Sequence, residues 1–515
     1  MPFRGPELAA PAHIPSLLLR GVDRTPDDIA IVSTEMSWSW QELNEVTRNV
    51  AENLVLRGLK PGDRIASLMP NRTHLLILYL ACFRAGLVIV PLNYRYTPTE
   101  IDHALEVSGA SMLIFHAERA GDITASTKVR GLRLGWLPYR PEDPQAPHFE
   151  QLYKKPPERN EIEPFSLDGP AAIFFTSGST GKPKGVTHSF NSLGYIFASA
   201  AGACKLTSDD VMLPGSSMSH LGGFLFSFAA LMTGARVVVA RAYDSEELLP
   251  LLQKERPTVL CMLPSALLPL IRDHGATKAD FASIRLCRSG SDKVPMELEA
   301  EFEELTGLKI DEGYGISEAG LPALNPPEGV IKIGSIGTAN PGFEVSIRDG
   351  EGREVPMGTA GNLWIKSPSL MIGYWENPEE TAKAVQDGWL DSGDIMKVDE
   401  DHYLWFQGRK KQIIVHDGSN IFPQEVEDAI LAHPAVAGAG VIGIHDLIHG
   451  ENVRAYVTVR EGHARPTAYQ LIEFTKQRIG YKAPEEIVFL DEIPLNPTGK
   501  TDRMRLKEIA SAHHG

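Results

Sequence analysis

Residues 176–185 combine the residue types that bind phosphate. The segment holds three glycines, four hydroxyl side chains and two lysines, and it follows the apolar run 171–175. Glycines let the backbone turn tightly and aim its N–H groups at an anion. The spacing is not that of a Walker A loop, because only two residues separate the first two glycines, and Pro183 disfavours a helix directly behind the loop. The pattern predicts a polyphosphate loop after a buried strand, and a surface linker is the alternative.

Three further segments could complete a nucleotide site. In residues 311–318 two glycines flank Tyr314, which predicts a tight turn that presents an aromatic ring, and the carboxylate of Glu318 could hold Mg²⁺. Asp394 follows a glycine and could accept both hydroxyls of a ribose. Residues 494–500 end in Lys500, on a loop fixed by two prolines and a glycine. Taken singly, the segments around Tyr314 and Asp394 are also typical of solvated turns. A lysine placed as Lys500 is typical of the protein surface.

Together and in this order, the four segments resemble the motifs of the adenylate-forming superfamily, which includes acyl-CoA synthetases, carrier-loading adenylation domains and luciferases. Ser317 and Ser392 stand where that family has threonine. The resemblance spans residues 176–500 and implies that ATP activates a carboxylic acid. It implies Lys500, Glu318 and Ser317 as catalytic residues, with Glu318 as the Mg²⁺ ligand. The cofactor-binding residues implied are Thr176, Ser177, Gly178, Ser179, Thr180, Gly181, Lys182, Lys184, Ser289, Gly290, Asp311, Glu312, Gly313, Tyr314, Asp394 and Arg409.

The chemistry explains why a lysine is needed. A carboxylate that approaches an anionic α-phosphate to ~4 Å is repelled by about 4 kcal/mol at an effective dielectric constant of about 20. A lysine between the two oxygens makes the approach attractive and stabilises the charge that develops in the transition state.

The acid and the acyl acceptor are less well defined. By the same resemblance the acyl pocket is formed by His220, Leu221, Gly222, Phe224 and Ile316. No basic residue stands out there, so we expect a hydrophobic acid. The acceptor tunnel is expected at Asp417 and Gly418, where Asp417 replaces the first glycine of the family pattern. We expect CoA as the acceptor, with an amine or a carrier protein as alternatives. A non-catalytic binder is disfavoured because Lys500, Glu318 and Asp394 are all present.

The elements that must position these residues alternate between helix and strand. Ser39 and Glu42 form a capping box before an amphipathic helix, and strands are expected at 64–68 and 87–90. The fold class predicted is α/β, with a large N-terminal domain of two α/β subdomains plus a small β-rich subdomain, followed by a small mobile α+β C-terminal domain. The domains expected are residues 1–408, a hinge at 409–411 that contains Lys411, and residues 412–515 with two helices and two strands.

Composition excludes several other classes. The chain has 515 residues, 43% of them hydrophobic, and a formal net charge of −16, which disfavours a nucleic-acid partner. It shows no membrane span and no signal peptide, and its four cysteines are scattered, so we expect a cytoplasmic protein. The sequence is compatible with a homodimer. The pattern GxGxxG at 438–443 lies in an apolar run typical of a strand, and His445 and His449 are expected in loops rather than in a metal site.

Overall fold

The structure is a computed structural model that describes residues 2–8, 10–157, 162–176, 183–241, 245–290, 294–416, 419–446, 449–496 and 501–512. The chain divides into two compact units. The first unit comprises Met1–Ser346 and Trp364–Asp391, and the second comprises Ile347–Leu363 and Ser392–Gly515. Within the described ranges, no helix is both long and apolar enough to cross a membrane.

Strands and helices alternate along the first two thirds of the chain. Up to residue 189 they are β1 (Phe3–Arg4), α1 (Leu19–Arg24), β2 (Ile29–Val32), β3 (Ser37–Ser39), α2 (Trp40–Leu56), β4 (Arg64–Leu68), α3 (Thr73–Arg84), β5 (Val88–Pro91), α4 (Pro98–Ser108), β6 (Met112–His116), α5 (Ala120–Ala125), β7 (Trp136–Tyr139), β8 (Pro170–Thr176) and β9 (Lys184–Ser189). Up to residue 339 they are α6 (Phe190–Ala203), β10 (Val211–Gly215), α7 (Leu221–Thr233), β11 (Arg236–Val238), α8 (Ser245–Glu255), β12 (Val259–Met262), α9 (Pro264–Arg272), β13 (Leu286–Gly290), α10 (Met296–Thr306), β14 (Ile310–Ile316), β15 (Gly320–Leu324) and β16 (Thr338–Ala339).

Strands outnumber helices in the last third. The elements there are β17 (Glu344–Arg348), β18 (Gly361–Lys366), β19 (Gly373–Tyr374), α11 (Pro378–Ala384), β20 (Val385–Gln386), β21 (Trp389–Val398), β22 (Leu404–Arg409), β23 (Ile414–His416), β24 (Ser419–Ile421), α12 (Pro423–Leu431), β25 (Val436–Asp446), β26 (Gly450–Val459), α13 (Ala468–Ile479), β27 (Glu486–Phe489) and α14 (Arg503–Ala512).

Two large sheets form the centre of the first unit. One has the strand order β19-β9-β8-β5-β4-β6-β7 and the other the order β16-β15-β14-β13-β12-β10-β11-β2-β3. Parallel pairing dominates the middle of both sheets, whereas the β8–β9 and β14–β15 pairs are antiparallel. Since carboxyl ends of parallel strands meet at one edge of a sheet, the ends of β13 and β14 lie side by side. The α/β prediction is confirmed.

Local patterns predicted several elements of the first unit. Ser39 and Glu42 form both hydrogen bonds of a capping box, and Leu43, Val50 and Leu54 of α2 are buried. The apolar run 171–175 is strand β8, and the strand β9 rather than a helix follows Pro183. The tight turn expected around Tyr314 is wrong, because this residue lies on β14 and pairs with Ala323 of β15.

The second unit contains a small sheet with helices. Strands β25 and β26 form a long antiparallel pair, β27 lies parallel to β26, and β23 and β24 extend the sheet. Helices α12, α13 and α14 belong to this unit, so the expected two helices and two strands were too few. The pattern at 438–443 lies within β25, as expected. His445 also lies on β25, so the expectation of a loop is wrong for it, whereas His449 lies in the turn before β26.

Candidate functional site

A β-hairpin holds the ends of the segment expected to bind phosphate. Thr176 ends β8, Lys184 begins β9, and the two residues pair across the antiparallel ladder. The hairpin therefore fixes both ends of the intervening segment at one point. Six of the residues expected to bind phosphate lie in the segment outside the described residues: Ser177, Gly178, Ser179, Thr180, Gly181 and Lys182.

Lys184 and Glu318 are connected through Tyr374. The ammonium group of Lys184 lies 5.0 Å from the centroid of the Tyr374 ring and pairs with the carboxylate of Glu380. The Tyr374 hydroxyl donates a hydrogen bond of 2.9 Å to Oε1 of Glu318. Burial, and then the charge of Glu318, raise the pKa of Tyr374, so the hydroxyl keeps its proton and remains a donor. Two motifs that lie more than a hundred residues apart in the chain thus meet in one cluster.

A buried histidine joins the hairpin to the turn that carries Ser317 and Glu318. Nε2 of His188, on β9, lies 2.7 Å from the carbonyl oxygen of Ser317. Burial lowers the pKa of His188 to about 4, so the ring is neutral near pH 7 and donates through Nε2. The carbonyl of Glu318 in turn accepts from the N–H of Met371 at 2.7 Å. The backbone on either side of the Glu318 carboxylate is therefore fixed, and sequence analysis missed both His188 and Tyr374.

The ends of β13 and β14 approach each other closely. A Cβ atom at Gly290 would lie 2.7 Å from the carbonyl oxygen of Gly313, so glycine is required there. The Ser289 hydroxyl donates to the Met262 carbonyl at 2.8 Å, and the side chain is 1% exposed. Tyr314 is half-buried on the neighbouring strand. These strand ends present backbone and one aromatic ring rather than a row of polar side chains.

Two acidic residues expected to bind the nucleotide face the interior. Asp311 is fully buried, and its carboxyl oxygens have no hydrogen-bond partner among the described residues. Glu312 accepts hydrogen bonds from the backbone N–H groups of Val294 and Gly334, at 3.3 and 3.1 Å. The burial of Asp311 does not fit the expected nucleotide contact by its side chain, whereas Glu312 holds neighbouring loops in place.

His220 stands in front of helix α7 in a defined protonation state. The amide oxygen of Asn93 accepts from the N–H of Arg95 at 2.9 Å, so its Nδ2 is directed to His220 Nε2, 3.2 Å away. The imidazole Nε2 accepts this bond, which places the proton of the neutral ring on Nδ1. Burial lowers the pKa of His220, consistent with the neutral form.

The other expected acyl-pocket residues differ in exposure. Gly222 and Ile316 are half-buried, and Leu221 is 5% exposed. Phe224 is fully buried in an aromatic cluster, with its ring centroid 4.4 Å from that of Phe228 and 5.1 Å from that of Phe174. Phe224 is therefore part of the core that supports α7, and a direct contact with the acid stays a prediction.

The second unit carries the residues expected to bind ribose. Asp394 on β21 is 2% exposed, and Oδ1 lies 3.2 Å from Nε of Arg409 on the paired strand β22. Ser392 accepts from the N–H of Asp394 at 3.1 Å and donates to the Leu363 carbonyl at 2.7 Å. Lys411 is exposed in a short 3-10 turn, Lys410–Gln412. Asp417, Gly418 and Lys500 lie outside the described residues.

The described residues suit Mg²⁺ shared with a nucleotide. No group of three or more histidine, cysteine, aspartate or glutamate side chains that could hold a metal occurs among them. Mg²⁺ in phosphate sites is bound through one or two carboxylates together with substrate phosphates and water. The carboxylate of Glu318 accepts from Tyr374, whose ring also contacts Lys184, and it fits that requirement.

Comparison with known proteins gives consistent similarities. The family model of the AMP-binding enzyme matches residues 18–375, and that of the AMP-binding enzyme C-terminal domain matches residues 425–500. A feruloyl-CoA synthase of an Amycolatopsis species is 32% identical, over 94% of this chain and 96% of that protein. ATP-bound MatB from Rhodopseudomonas palustris is 29% identical with a TM-score of 0.89, over 96% of this chain and 98% of that one. The amide bond synthetase McbA from Marinactinospora thermotolerans is 27% identical with a TM-score of 0.87, over 96% of this chain and 99% of that one.

Proposed function

Because the chain belongs to the AMP-binding enzyme family, we propose how its residues divide the work of an acid–thiol ligase. The protein is an ATP-dependent, AMP-forming ligase. It activates a carboxylic acid to an acyl-adenylate with release of pyrophosphate, and the thiol of CoA then displaces AMP to give acyl-CoA.

The observation that carries this function is the connection from Lys184 through Tyr374 to Glu318. It places a lysine of the phosphate-binding hairpin and the expected Mg²⁺ ligand in one hydrogen-bonded and electrostatic cluster. Both groups are required where the negative charge of a leaving pyrophosphate develops. Mg²⁺, when bound with ATP, would neutralise phosphate charge next to Glu318.

The remaining roles follow from residue chemistry. We assign stacking on adenine to Tyr314, the ribose hydroxyls to Asp394, and support of that carboxylate to Arg409, whose guanidinium pairs with it. Lys500 would bridge the substrate carboxylate and the α-phosphate, as its position in the family motif implies. We propose a hinge at residues 409–411.

The acid is proposed to be hydrophobic. His220 is neutral and supplies no charge to the pocket, and the apolar residues Leu221 and Ile316 belong to the expected lining. A neutral imidazole with its proton on Nδ1 can orient a carboxylate without neutralising it. In this proposal, Lys500 is the cation that attracts that carboxylate.

The second candidate function is amide formation, in which an amine takes the acyl group. One sequence observation favours it, namely Asp417 in place of the first glycine of the family's acceptor segment. A carboxylate there could narrow a thiol tunnel or attract an ammonium group. The similarity to the amide bond synthetase McbA makes this alternative worth a direct test.

Mass spectrometry of one reaction mixture distinguishes these acceptors. The purified protein is incubated with ATP, Mg²⁺ and a pool of aliphatic and aromatic acids, with CoA and a pool of amines both present. We expect AMP and one dominant acyl-CoA. An amide that still forms when CoA is omitted would contradict the choice of CoA, and AMP without either product would indicate a carrier protein.

Lys500→Ala tests the catalytic assignment. Removal of a group that stabilises developing charge costs roughly 10²- to 10³-fold in rate, so we expect a loss of that size in pyrophosphate release. Lys507→Ala is the matched control, because Lys507 is an exposed lysine on helix α14, the next helix along the chain. Equal rates for the two variants would overturn the role of Lys500. No AMP from any acid with the unmodified protein would contradict the enzyme activity itself.

The expected location and assembly are also proposals. The four cysteines are all buried and unpaired, which suits a reducing compartment such as the cytoplasm. A homodimer stays a prediction.

A further inference from the structure

An ion pair at the start of helix α14 has no role in the proposed mechanism. Nη2 of Arg503 lies 2.6 and 2.8 Å from the two carboxylate oxygens of Glu427 on α12. The Glu427 side chain is 5% exposed and that of Arg503 is 20% exposed. Replacing a buried ion pair by apolar side chains is often neutral or stabilising. Stability alone is therefore a weak explanation for this pair, and its place in the chain suggests another.

Both members of the pair bind the edge of strand β25. This strand stands at the end of the strand order β24-β23-β26-β25, and an edge strand presents backbone groups that need partners. The N–H of Val441 on β25 donates to Oε1 of Glu427 at 2.8 Å, and the carbonyl of the same residue accepts from Nε of Arg503 at 3.2 Å. The pair therefore connects α12, β25 and the first residue of α14.

The segment that carries Lys500 begins and ends beside this pair. Leu495 and Thr501 form an isolated β-bridge, and the N–H of Asp502 donates to the carbonyl of Pro494 at 2.8 Å. The two ends of the segment thus meet at one point. Because the next residue is Arg503, the ion pair fixes the chain three residues after Lys500.

Two glycines of β25 let the flanks of this segment pack on the strand. A Cβ atom at Gly440 would lie 3.0 Å from Cγ2 of Thr501 and 2.8 Å from Cδ1 of Leu506. At Gly438 it would lie 3.3 Å from Cγ1 of Ile493. Side chains just before and just after the lysine segment therefore lie directly against the backbone of β25, where the ion pair also binds.

We propose that Arg503 and Glu427 are positioning residues for the first half-reaction, the formation of the acyl-adenylate. They fix the segment that carries Lys500 to β25, so that its ammonium group can bridge the acid and the α-phosphate. The proposal rests on the proposed ligase function. A misplacement of about 1 Å can lower a rate by roughly a hundredfold. Acyl transfer to CoA, in which Lys500 has no assigned role, should not depend on the pair.

Two variants break the pair in different ways. Glu427→Gln combined with Arg503→Met removes both charges together, so no buried charge is left unpaired. The amide oxygen of the glutamine can still accept from the N–H of Val441. Arg503→Lys keeps the positive charge but lacks the planar set of donors that reaches Glu427 and Val441 at once. Urea-unfolding midpoints show whether each variant remains folded.

The two half-reactions are measured separately. The acid is the one that gives the most AMP with the unmodified protein in the pool of aliphatic and aromatic acids. Burial raises the pKa of Glu427 to about 7, while Arg503 acts in the opposite direction, so the assays are run at pH 8. In the double variant, kcat for pyrophosphate release should fall by roughly ten- to a hundredfold with KM for ATP unchanged. Transfer from the chemically prepared adenylate to CoA should stay within about threefold, and Arg503→Lys should keep part of the pyrophosphate release.

A background without the lysine tests whether the pair acts through Lys500. When the two substitutions are added to Lys500→Ala, pyrophosphate release should fall by no more than about twofold further, because effects that share one group are not additive. Arg505→Met is the matched control, since Arg505 is an exposed arginine on the same helix that pairs with Glu508. It should change neither half-reaction.

The outcomes separate this proposal from the ligase function. Absence of AMP from every acid with the unmodified protein would contradict the function itself. Equal loss of both half-reactions, unchanged pyrophosphate release, or a full further loss in the Lys500→Ala background would overturn only the positioning role. If the double variant does not fold, the ratio of the two half-reactions in Arg503→Lys decides in the same way.

Discussion

The buried carboxyl of Asp311 contributes to the pH dependence of the protein's stability. Burial raises its pKa to about 7, while nearby Arg288 acts in the opposite direction. The native state therefore holds a proton that the unfolded chain, with a pKa of about 3.9, releases. The contribution of Asp311 to stability is fully present below that unfolded value and is lost as the pH rises through 7.

Asp311→Asn should remove this loss. A protonated carboxyl and an amide have nearly the same shape and neither carries charge, so the variant should resemble the unmodified protein at pH 4. From pH 4 to 7 the variant should gain relative stability, by at most ~1.4 kcal/mol per pH unit. Urea-unfolding midpoints at pH 4, 5, 6 and 7 measure the difference. Parallel pH profiles for the two proteins would show that Asp311 is not protonated in the native state.

The sequence indicated candidate site residues but not their partners. Glu318 and Asp394 were proposed from motifs, because a motif is a local property of the chain, and their roles stay predictions. The partners Tyr374, His188 and Arg409 come from other strands, and only Arg409 belongs to a motif that the sequence showed. The proximity of Arg288 to Gly313 could not be predicted for the same reason, since it depends on the pairing of β13 with β14.

At the scale of elements, the β8–β9 hairpin holds both ends of the proposed phosphate-binding segment. Gly185 follows Lys184 on β9 and is packed tightly, since a Cβ atom there would lie 2.7 Å from Cγ2 of Ile173 and 3.2 Å from Cβ of Trp375. Ile173 is fully buried and cannot move aside easily. Gly185→Ala should therefore destabilise the protein by about 1–3 kcal/mol, the usual cost of overpacking.

The same variant should also weaken ATP binding, because a shift of β9 moves Lys184. We expect KM for ATP to rise, measured by pyrophosphate release, together with a lower unfolding midpoint. Gly121→Ala is the matched control, since no atom lies within 4 Å of a Cβ there and the residue is in helix α5. That control should be neutral or stabilising by about 0.5–1 kcal/mol. Equal behaviour of the two variants would contradict tight packing at Gly185.

Elements were predictable where the signal is local. The capping box of α2 and the absence of a helix directly after Pro183 depend on a few neighbouring residues. Both were predicted correctly. The Gly-Tyr-Gly segment was assigned to a turn because its composition favours turns, but pairing with β13 and β15 makes it a strand. In the second unit, the strands β23 and β24 have three residues each, too few for a periodic pattern.

At the scale of the whole molecule, the α/β class and the assignment to an adenylate-forming family could both be predicted from the sequence. Four motifs in a fixed order are a property of the chain as a whole, and the family models match 18–375 and 425–500. The identity of the acid could not be predicted from the sequence, because a pocket is lined by side chains from separate elements. The division of the chain at the hinge 409–411 stays a prediction and can be tested through the two half-reactions.

Lys411→Pro should separate these half-reactions. Lys411 lies in the 3-10 turn Lys410–Gln412, whose ordinary φ suits proline. Proline fixes that angle, so a rearrangement that needs rotation at this residue is blocked. We expect pyrophosphate release from ATP and acid to stay within about threefold of the unmodified protein, and acyl transfer from preformed adenylate to CoA to fall by roughly tenfold or more.

Lys411→Ala is the control for this experiment, because it removes the same side chain and leaves φ unrestricted. It should retain both half-reactions, and the contrast between alanine and proline isolates backbone rotation from loss of the ammonium group. If proline lowers both half-reactions equally, the turn matters for structure rather than for a change between them. If it lowers neither, the rotation occurs elsewhere in the chain, and the hinge must be sought outside 409–411.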